Sequence, residues 1–168
     1  MERKITCPSE FMHLKGIEYF NFEEDFMEDN IRCIPMVVRF KMDAAGVKLK
    51  LSEWSKFKPD ERVKLALMSV DDSAATELYH QYLIALITKY TGNTATKLAI
   101  DLAPAWANTQ QIPDMLLEKS AEINLNLSLN QWKKLTHIQR FALLKLCRPG
   151  HENKNFPKAA KEFGLLVN

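Results

Sequence analysis

The side chains best suited to recognition lie close together near the C-terminus, in the segment Arg148–Asn155 (RPGHENKN). Adjacent Pro and Gly are typical of a turn, and the Arg, His, Glu and Asn side chains are strong hydrogen-bonding groups. Recognition is often carried by loops of this kind. We therefore treat Arg148–Asn155, called the C-terminal turn below, as a candidate binding site. A turn that only caps the preceding helix fits the same residues.

The other residue types that could carry chemistry are scattered. His151-Glu152 lacks the second histidine of an HExxH zinc site, and the remaining histidines stand at positions 13, 80 and 137. The three cysteines, at positions 7, 33 and 147, form no CxxC pair, so neither a disulfide framework nor a zinc site is indicated. There is no GxSxG and no Gly-rich phosphate loop. The residue types therefore name no reaction and predict no metal.

A change of charge sign follows the N-terminal segment. Glu18–Asn30 carries six acids and no Lys or Arg, and the chain then becomes basic through Arg32, Arg39 and Lys41. These two stretches either screen each other as solvated faces or dock a charged partner. Cys33 lies just before a predicted helix N-terminus, where a thiol pKa can fall, although a small buried hydrophobe is the simpler interpretation. The candidate partner-binding residues are Arg32, Cys33, Arg39, Lys41, Arg148, His151, Glu152, Asn153 and Asn155.

Composition and charge bound the class of protein. The net charge of +2 argues against a dedicated nucleic-acid binder, which usually has a strong basic excess. No apolar run approaches the roughly 18–20 residues of a membrane span, and the N-terminus lacks the apolar core of a signal peptide. We expect a cytoplasmic protein with reduced thiols, no membrane contact and no nucleic-acid partner.

An internal repeat organises the elements that hold these residues. Residues 34–67 and 112–145 align without a gap at an offset of 78. The pairs Pro35/Pro113, Trp54/Trp132 and Arg62/Arg140 are identical. We expect both tryptophans to be buried, since an apolar residue follows each three positions later. We expect both arginines to bind backbone carbonyls or carboxylates across the axis that relates the two copies, with ligand binding as the alternative.

The repeat predicts the same local elements twice. Proline at the start predicts helices at 35–44 and 113–122, ended by Gly46 and Asn124. Residues 47–51 and 125–129 alternate apolar and polar, as strands do. Because a lone strand leaves its backbone groups unpaired, we predict that these two strands pair about a pseudo-twofold axis. A second helix should follow each, starting at Lys58-Pro59 in the first copy and at the capping box Thr136–Gln139 in the second. These helices should end near Met68 and Cys147.

The remaining segments complete a mainly α fold. A long helix is predicted at 73–90 and a short one at 155–163, stopped by Gly164. Thr94–Gln111 has no clear period, and we expect Leu98, Ile100, Leu102, Pro104 and Trp106 to anchor it to the core. Residues 1–17 are predicted to form a loose N-terminal arm. The prediction is a single helical domain at 18–168 with an internal duplication and one short two-stranded β-ladder.

Over roughly Phe20–Leu165 the chain resembles a known family, the nitrate reductase associated proteins, a cyanobacterial type of accessory protein of assimilatory nitrate reductase. The likeness lies in several blocks in the right order, and residues 1–17 fall outside it. These blocks are Phe20–Phe26, Arg32–Met36 with Arg39, Lys41 and Asp43, Gly46–Leu51, Trp54, Glu61-Arg62, Pro104–Trp106, Trp132, Gln139–Leu143, Arg148–Phe156 and Lys161–Gly164.

The resemblance implies a non-enzymatic accessory or maturation partner of molybdenum-dependent nitrate reductase, acting in nitrate assimilation. It carries over no catalytic residue. It allows transient contact with the molybdopterin cofactor and implies no cofactor of the protein's own. Two other classes stay open, a small enzyme or carrier in molybdopterin biosynthesis and a helical nucleic-acid-binding regulator that uses the helix after Thr136. The oligomeric state is open as well.

Overall fold

The structure is a computed structural model that describes residues 9–27 and 33–167, with only the backbone described for Phe26, His151 and Glu152. The chain divides into two compact units, unit 1 (Met1–Asp101) and unit 2 (Leu102–Asn168). Each unit contains one copy of the sequence repeat. Within the described residues, no helix has the length and apolar character needed to cross a membrane.

Unit 1 is built mainly from helices. In chain order its elements are a 3-10 helix Asn21–Phe26, α1 (Met36–Ala45), β1 (Val47–Lys48), α2 (Leu51–Trp54), α3 (Pro59–Leu67), α4 (Ser73–Thr91) and β2 (Thr96–Lys97). The predicted starts and ends of α1, α3 and α4 are confirmed to within about one residue. Gly46 ends α1 at a φ of 70°, a left-handed conformation that glycine adopts without steric cost.

Unit 2 repeats much of this order. Its elements are a 3-10 helix Ala105–Ala107, α5 (Asp114–Glu122), α6 (Leu129–Lys134), α7 (His137–Leu146), a second 3-10 helix His151–Asn155 and α8 (Phe156–Glu162). The predicted capping box at the start of α7 is confirmed, because Thr136 and Gln139 exchange side-chain-to-backbone hydrogen bonds of 2.9 and 3.2 Å. Asn124 follows α5 at a φ of 54°, as the repeat predicts from Gly46.

The predicted β-ladder exists, but its partner strand was predicted wrongly. β1 pairs antiparallel with β2, with Val47 opposite Lys97 and Lys48 opposite Thr96. Residues 125–128 belong to no strand, and the extended residue Ser128 instead caps α6. The alternation of apolar and polar residues still matches burial, since Leu125 and Leu127 are buried while Asn126 between them is exposed. The fold is therefore mainly helical with one small two-stranded sheet.

The connecting segment 94–111 is less buried than expected. Leu102 is 94% exposed and Ile100 is 53% exposed, so the prediction that both anchor the core is wrong. Leu98, Pro104 and Trp106 are half-buried. Backbone pairing of β2 with β1 holds this segment, and its Trp106 and Asn108 carbonyls accept hydrogen bonds from the Arg140 and Trp132 side chains. Apolar anchors contribute less than expected.

Within the segment predicted as a loose arm, Ser9 and Phe11 are buried against the rest of unit 1. Phe11 is only 2% exposed and stacks on Trp54 with ring centroids 6.2 Å apart. The core of unit 1 also contains Tyr79, Leu83 and Ile87 of α4. That of unit 2 contains Leu116, Trp132, Leu143, Leu146 and Phe156. Burial of both Trp54 and Trp132 confirms the core position predicted for them.

Candidate partner-binding site

The candidate partner-binding residues fall in both units. Cys33, Arg39 and Lys41 lie in unit 1, and the C-terminal turn lies in unit 2. Arg32 is outside the described residues. His151 and Glu152 are described by backbone alone, as part of the 3-10 helix that precedes α8.

In unit 1, the basic side chains near α1 have partners inside the protein. Arg39 Nε donates to the carbonyl oxygen of Ile34 at 2.8 Å. Lys41 Nζ donates to the carbonyl oxygen of Ala66 at 2.5 Å, in the last turn of α3. Burial lowers the pKa of Lys41, against the opposing effect of Asp71. Both side chains are half-buried, and Lys41 satisfies a helix C-terminus, where a cation is favoured.

The acidic stretch before α1 is also used internally. The Glu23 carboxylate is buried and accepts from the backbone N–H of Met36 at 2.7 Å, which caps the N-terminus of α1. The Glu24 carboxylate accepts from the Ser9 N–H at 3.1 Å and from the Tyr19 hydroxyl at 2.6 Å. Burial raises the pKa of Glu24, but hydrogen bonds from Ser9 and Tyr19 outweigh this and lower it overall.

In unit 2, one asparagine shapes the C-terminal turn. Asn153 Nδ2 donates to the carbonyls of Cys147 and Arg148 at 3.4 and 3.2 Å, just after α7 ends. Its Oδ1 accepts from Lys119 Nζ at 2.6 Å, and Lys119 also pairs with Glu122 at 2.6 Å. Asn153 is therefore a positioning residue, since its three hydrogen bonds tie the turn to the ends of two helices.

The second asparagine of the turn is buried. Asn155 is 1% exposed, and its Nδ2 has no hydrogen-bond partner among the described residues. Burial also raises the pKa of the Cys147 thiol to about 11, with Lys119 acting in the opposite direction. Because the thiolate is the reactive form, this raised pKa disfavours reactivity of the Cys147 thiol.

Two cations of the turn face solvent. Arg148 and Lys154 are both exposed. Unit 2 has nine Lys and Arg against five Asp and Glu, a net charge of +4, whereas unit 1 has fourteen against sixteen, a net of −2. The chemistry that this part of unit 2 offers is cationic, and it suits an anionic group or an acidic protein surface.

Sequence reasoning missed two contributors to this site, Lys119 and Lys154. Lys119 could have been found through the repeat, because it is equivalent to Lys41. Lys41 donates directly to a carbonyl in the last turn of α3, whereas Lys119 donates to Asn153, which in turn donates to the Cys147 carbonyl. Lys154 lies within the recognised turn but was passed over for its hydrogen-bonding neighbours. Over the described part of the chain, no cluster of His, Cys, Asp and Glu could hold a metal ion.

One of the comparisons with known proteins identifies a family. Residues 19–163 match the model of a family described as conserved nitrate reductase-associated protein. No curated protein and no solved structure matches the chain. The match covers most of both units and leaves Ser9–Glu18 outside it.

Proposed function

The chain belongs to the conserved nitrate reductase-associated protein family, and we propose that it is a non-enzymatic accessory partner of molybdenum-dependent assimilatory nitrate reductase. The observation that carries this proposal is the family match over residues 19–163, which spans nearly every element of the fold. The family is described by its association with the enzyme and by no catalytic activity. We propose that the protein supports maturation of the reductase in the cytoplasm.

We propose the C-terminal turn as the principal contact with the reductase. Its backbone is fixed by Asn153 and Lys119, so Arg148 and Lys154 are presented without a large ordering cost on binding. Two exposed cations match an acidic surface or the phosphate of a molybdopterin group held by the enzyme. His151, Glu152 and Asn155 belong to the same turn. Arg32 and Cys33 are a second candidate contact, while Arg39 and Lys41 bind backbone carbonyls inside unit 1.

The direct test is co-expression of the tagged protein with the nitrate reductase of the same organism. The measurements are retention of the reductase on the tagged protein and the molybdenum content of the reductase, each with and without this protein. Retention with raised molybdenum content supports a maturation role. Retention with unchanged molybdenum content supports a stabiliser or an adaptor for electron delivery, and no retention contradicts the proposal.

The contact itself is tested by charge reversal. Arg148→Glu should reduce retention of the reductase by tenfold or more, on the order of the loss expected when a cation at an interface becomes an anion. Lys133→Glu is the matched control, because Lys133 is an exposed cation of α6, outside the turn. Equal retention by both variants and the unchanged protein would move the contact away from the C-terminal turn.

A further inference from the structure

The segment Ser9–Phe11 contacts the rest of unit 1 much as a short bound peptide would. The Glu10 carboxylate accepts from Arg62 Nε at 2.7 Å, and the two side chains are 18% and 5% exposed. The Phe11 ring stacks on Trp54 and also meets Tyr19 at 5.8 Å. We call Ser9–Phe11 the strap.

The strap is also held by hydrogen bonds to a carboxylate. The backbone N–H of Ser9 donates to Glu24 at 3.1 Å, and its hydroxyl donates to the same carboxylate. The contact set is thus one carboxylate bound by Arg62, one aromatic ring bound by Trp54 and one N–H bound by Glu24. Such a mixture of a charged anchor and an aromatic anchor is typical of the energetic centre of a binding interface.

The repeat supplies a comparison inside the same chain. In unit 2, Arg140 Nε donates to the carbonyl of Trp106 at 2.7 Å, and Trp132 Nε1 donates to the carbonyl of Asn108 at 2.9 Å. In unit 2, therefore, backbone carbonyls of Trp106 and Asn108 cover the arginine and the tryptophan, and both residues lie within the family match. In unit 1, the covering segment lies outside residues 19–163, while Trp54, Arg62 and Glu24 lie inside them.

We propose that Trp54, Arg62 and Glu24 form a peptide-binding surface, which the strap occupies as an exchangeable intramolecular ligand. The partner that fits this surface is a protein segment in which a carboxylate side chain directly precedes an aromatic residue, as Glu10 precedes Phe11. Such a segment binds by displacing the strap, so the surface is autoinhibited in the free protein. The proposal concerns unit 1 and does not depend on the C-terminal turn.

Tethering makes the strap a strong competitor. A ligand joined by a short linker has an effective concentration in the millimolar range. A free peptide of the same sequence therefore binds the unchanged protein poorly, and weakening the strap's own contacts should uncover the surface. A partner segment that adds contacts beyond the strap's three residues overcomes this competition.

The experiment uses a fluorescein-labelled peptide of residues 8–17 and full-length protein. In fluorescence anisotropy, the Glu10→Ala/Phe11→Ala protein should bind this peptide at least about tenfold more tightly than the unchanged protein does. A matched peptide with the same two substitutions should not bind. Failure of the variant protein to bind while its circular dichroism stays native would overturn the proposal, as would equal binding to both proteins.

Two further measurements guard against a variant that loses its fold. Glu10→Ala alone removes the ion pair and keeps Phe11 in place, and it should raise peptide affinity by a smaller factor, about threefold. In the unchanged protein, hydrogen exchange of the Ser9 and Phe11 amides should be faster than exchange in the middle of α4. Exchange as slow as that of α4 would show that the strap does not open separately and would contradict the proposal.

Discussion

Units 1 and 2 build the same arginine–tryptophan arrangement from equivalent repeat positions. The guanidinium carbon of Arg62 lies 5.9 Å from the ring centre of Trp54, and that of Arg140 lies 5.7 Å from that of Trp132. In both units the arginine also donates to the carbonyl at the equivalent position, Phe57 or Leu135. These two contacts of the arginine coincide in the two copies.

What differs is the chemical class of the acceptors around this arrangement. Unit 1 uses carboxylates, and unit 2 uses neutral amides or carbonyls at the corresponding places. The pairs are Glu53 and Gln131 at the start of α2 and α6, Glu61 and Gln139 at the start of α3 and α7, and Glu10 and the Trp106 carbonyl at the arginine Nε. All three acceptors of unit 1 are therefore ionisable groups, whereas those of unit 2 are neutral.

The largest effect is expected from removing the arginines. Arg140→Ala leaves the carbonyls of Leu135 and Trp106 without their donor, and each lost partner costs about 1–3 kcal/mol. We expect a loss of about 3–4 kcal/mol in the free energy of unfolding, measured by urea denaturation. Arg62→Ala should cost about 2 kcal/mol, because the 18% exposed Glu10 can turn to water. A larger loss for Arg62→Ala would contradict this ranking.

The ends of α1 and α5 should respond differently to alanine. Both Gly46 and Asn124 are left-handed, and alanine in that region costs about 1–2 kcal/mol. At Gly46 a Cβ atom would also lie 3.0 Å from Ile100 Cγ1 and 3.2 Å from the Leu98 carbonyl oxygen. Gly46→Ala should therefore lower the free energy of unfolding by about 2–3 kcal/mol and Asn124→Ala by about 1 kcal/mol. Urea denaturation measures both losses, and equal denaturation midpoints for the two variants would contradict this prediction.

Local signals explain why most of the helices could be predicted. Pro35, Gly46 and the Thr136–Gln139 box act within a few residues, so a single sequence is enough to place them. The partner of β1 could not be found in this way. The alternation at 125–129 indicates only that one face of this segment is buried. A hydrophobic period of two residues does not show whether the backbone groups pair with a strand or cap a helix.

The site was harder to predict for the same reason. Arg39, Lys41 and Asn153 were identified as polar and clustered in sequence, but their partners are backbone carbonyls that only the folded chain brings within reach. Arg148 is exposed and Asn155 is buried, and their residue types did not reveal this difference. The strap was missed because Glu10 and Phe11 meet Arg62 and Trp54 across more than forty residues of sequence.

Acid should weaken unit 1 through Glu61. Burial raises the pKa of this carboxyl, but hydrogen bonds from Lys89, the Lys58 N–H and Tyr90 outweigh it and hold the pKa at about 2 instead of 4.5. Because the folded pKa is depressed, the stabilisation is complete above about pH 4.5 and is lost as the pH falls toward about 2. Glu61→Gln should lower the melting temperature at pH 7. It should also reduce the decrease in melting temperature that the unchanged protein shows as the pH falls between these two values.

The matched control for Glu61 is the equivalent residue of unit 2. Gln139→Glu keeps an acceptor for the Thr136 N–H and adds a titrating group at the start of α7. The helix dipole favours a carboxylate there, so this variant should gain a dependence of melting temperature on acid pH. If Glu61→Gln left the acid profile unchanged, the difference in acceptor class between the units would have no consequence for stability.

The smallest effect is expected at the first residue of the two helix caps. Thr136 Oγ1 accepts from the Gln139 N–H at 3.2 Å, so Thr136→Ala should cost about 1 kcal/mol. Lys58 stands at the equivalent position of unit 1, but its ammonium cannot accept a hydrogen bond, and the cap there is made by the Glu61 carboxylate and the Lys58 backbone N–H at 2.9 Å. Lys58→Ala keeps both groups and should change the free energy of unfolding by less than about 0.5 kcal/mol. Urea denaturation of the two variants separates these values, and a loss at Lys58 equal to that at Thr136 would mean that the lysine side chain, and not the carboxylate, stabilises the start of α3.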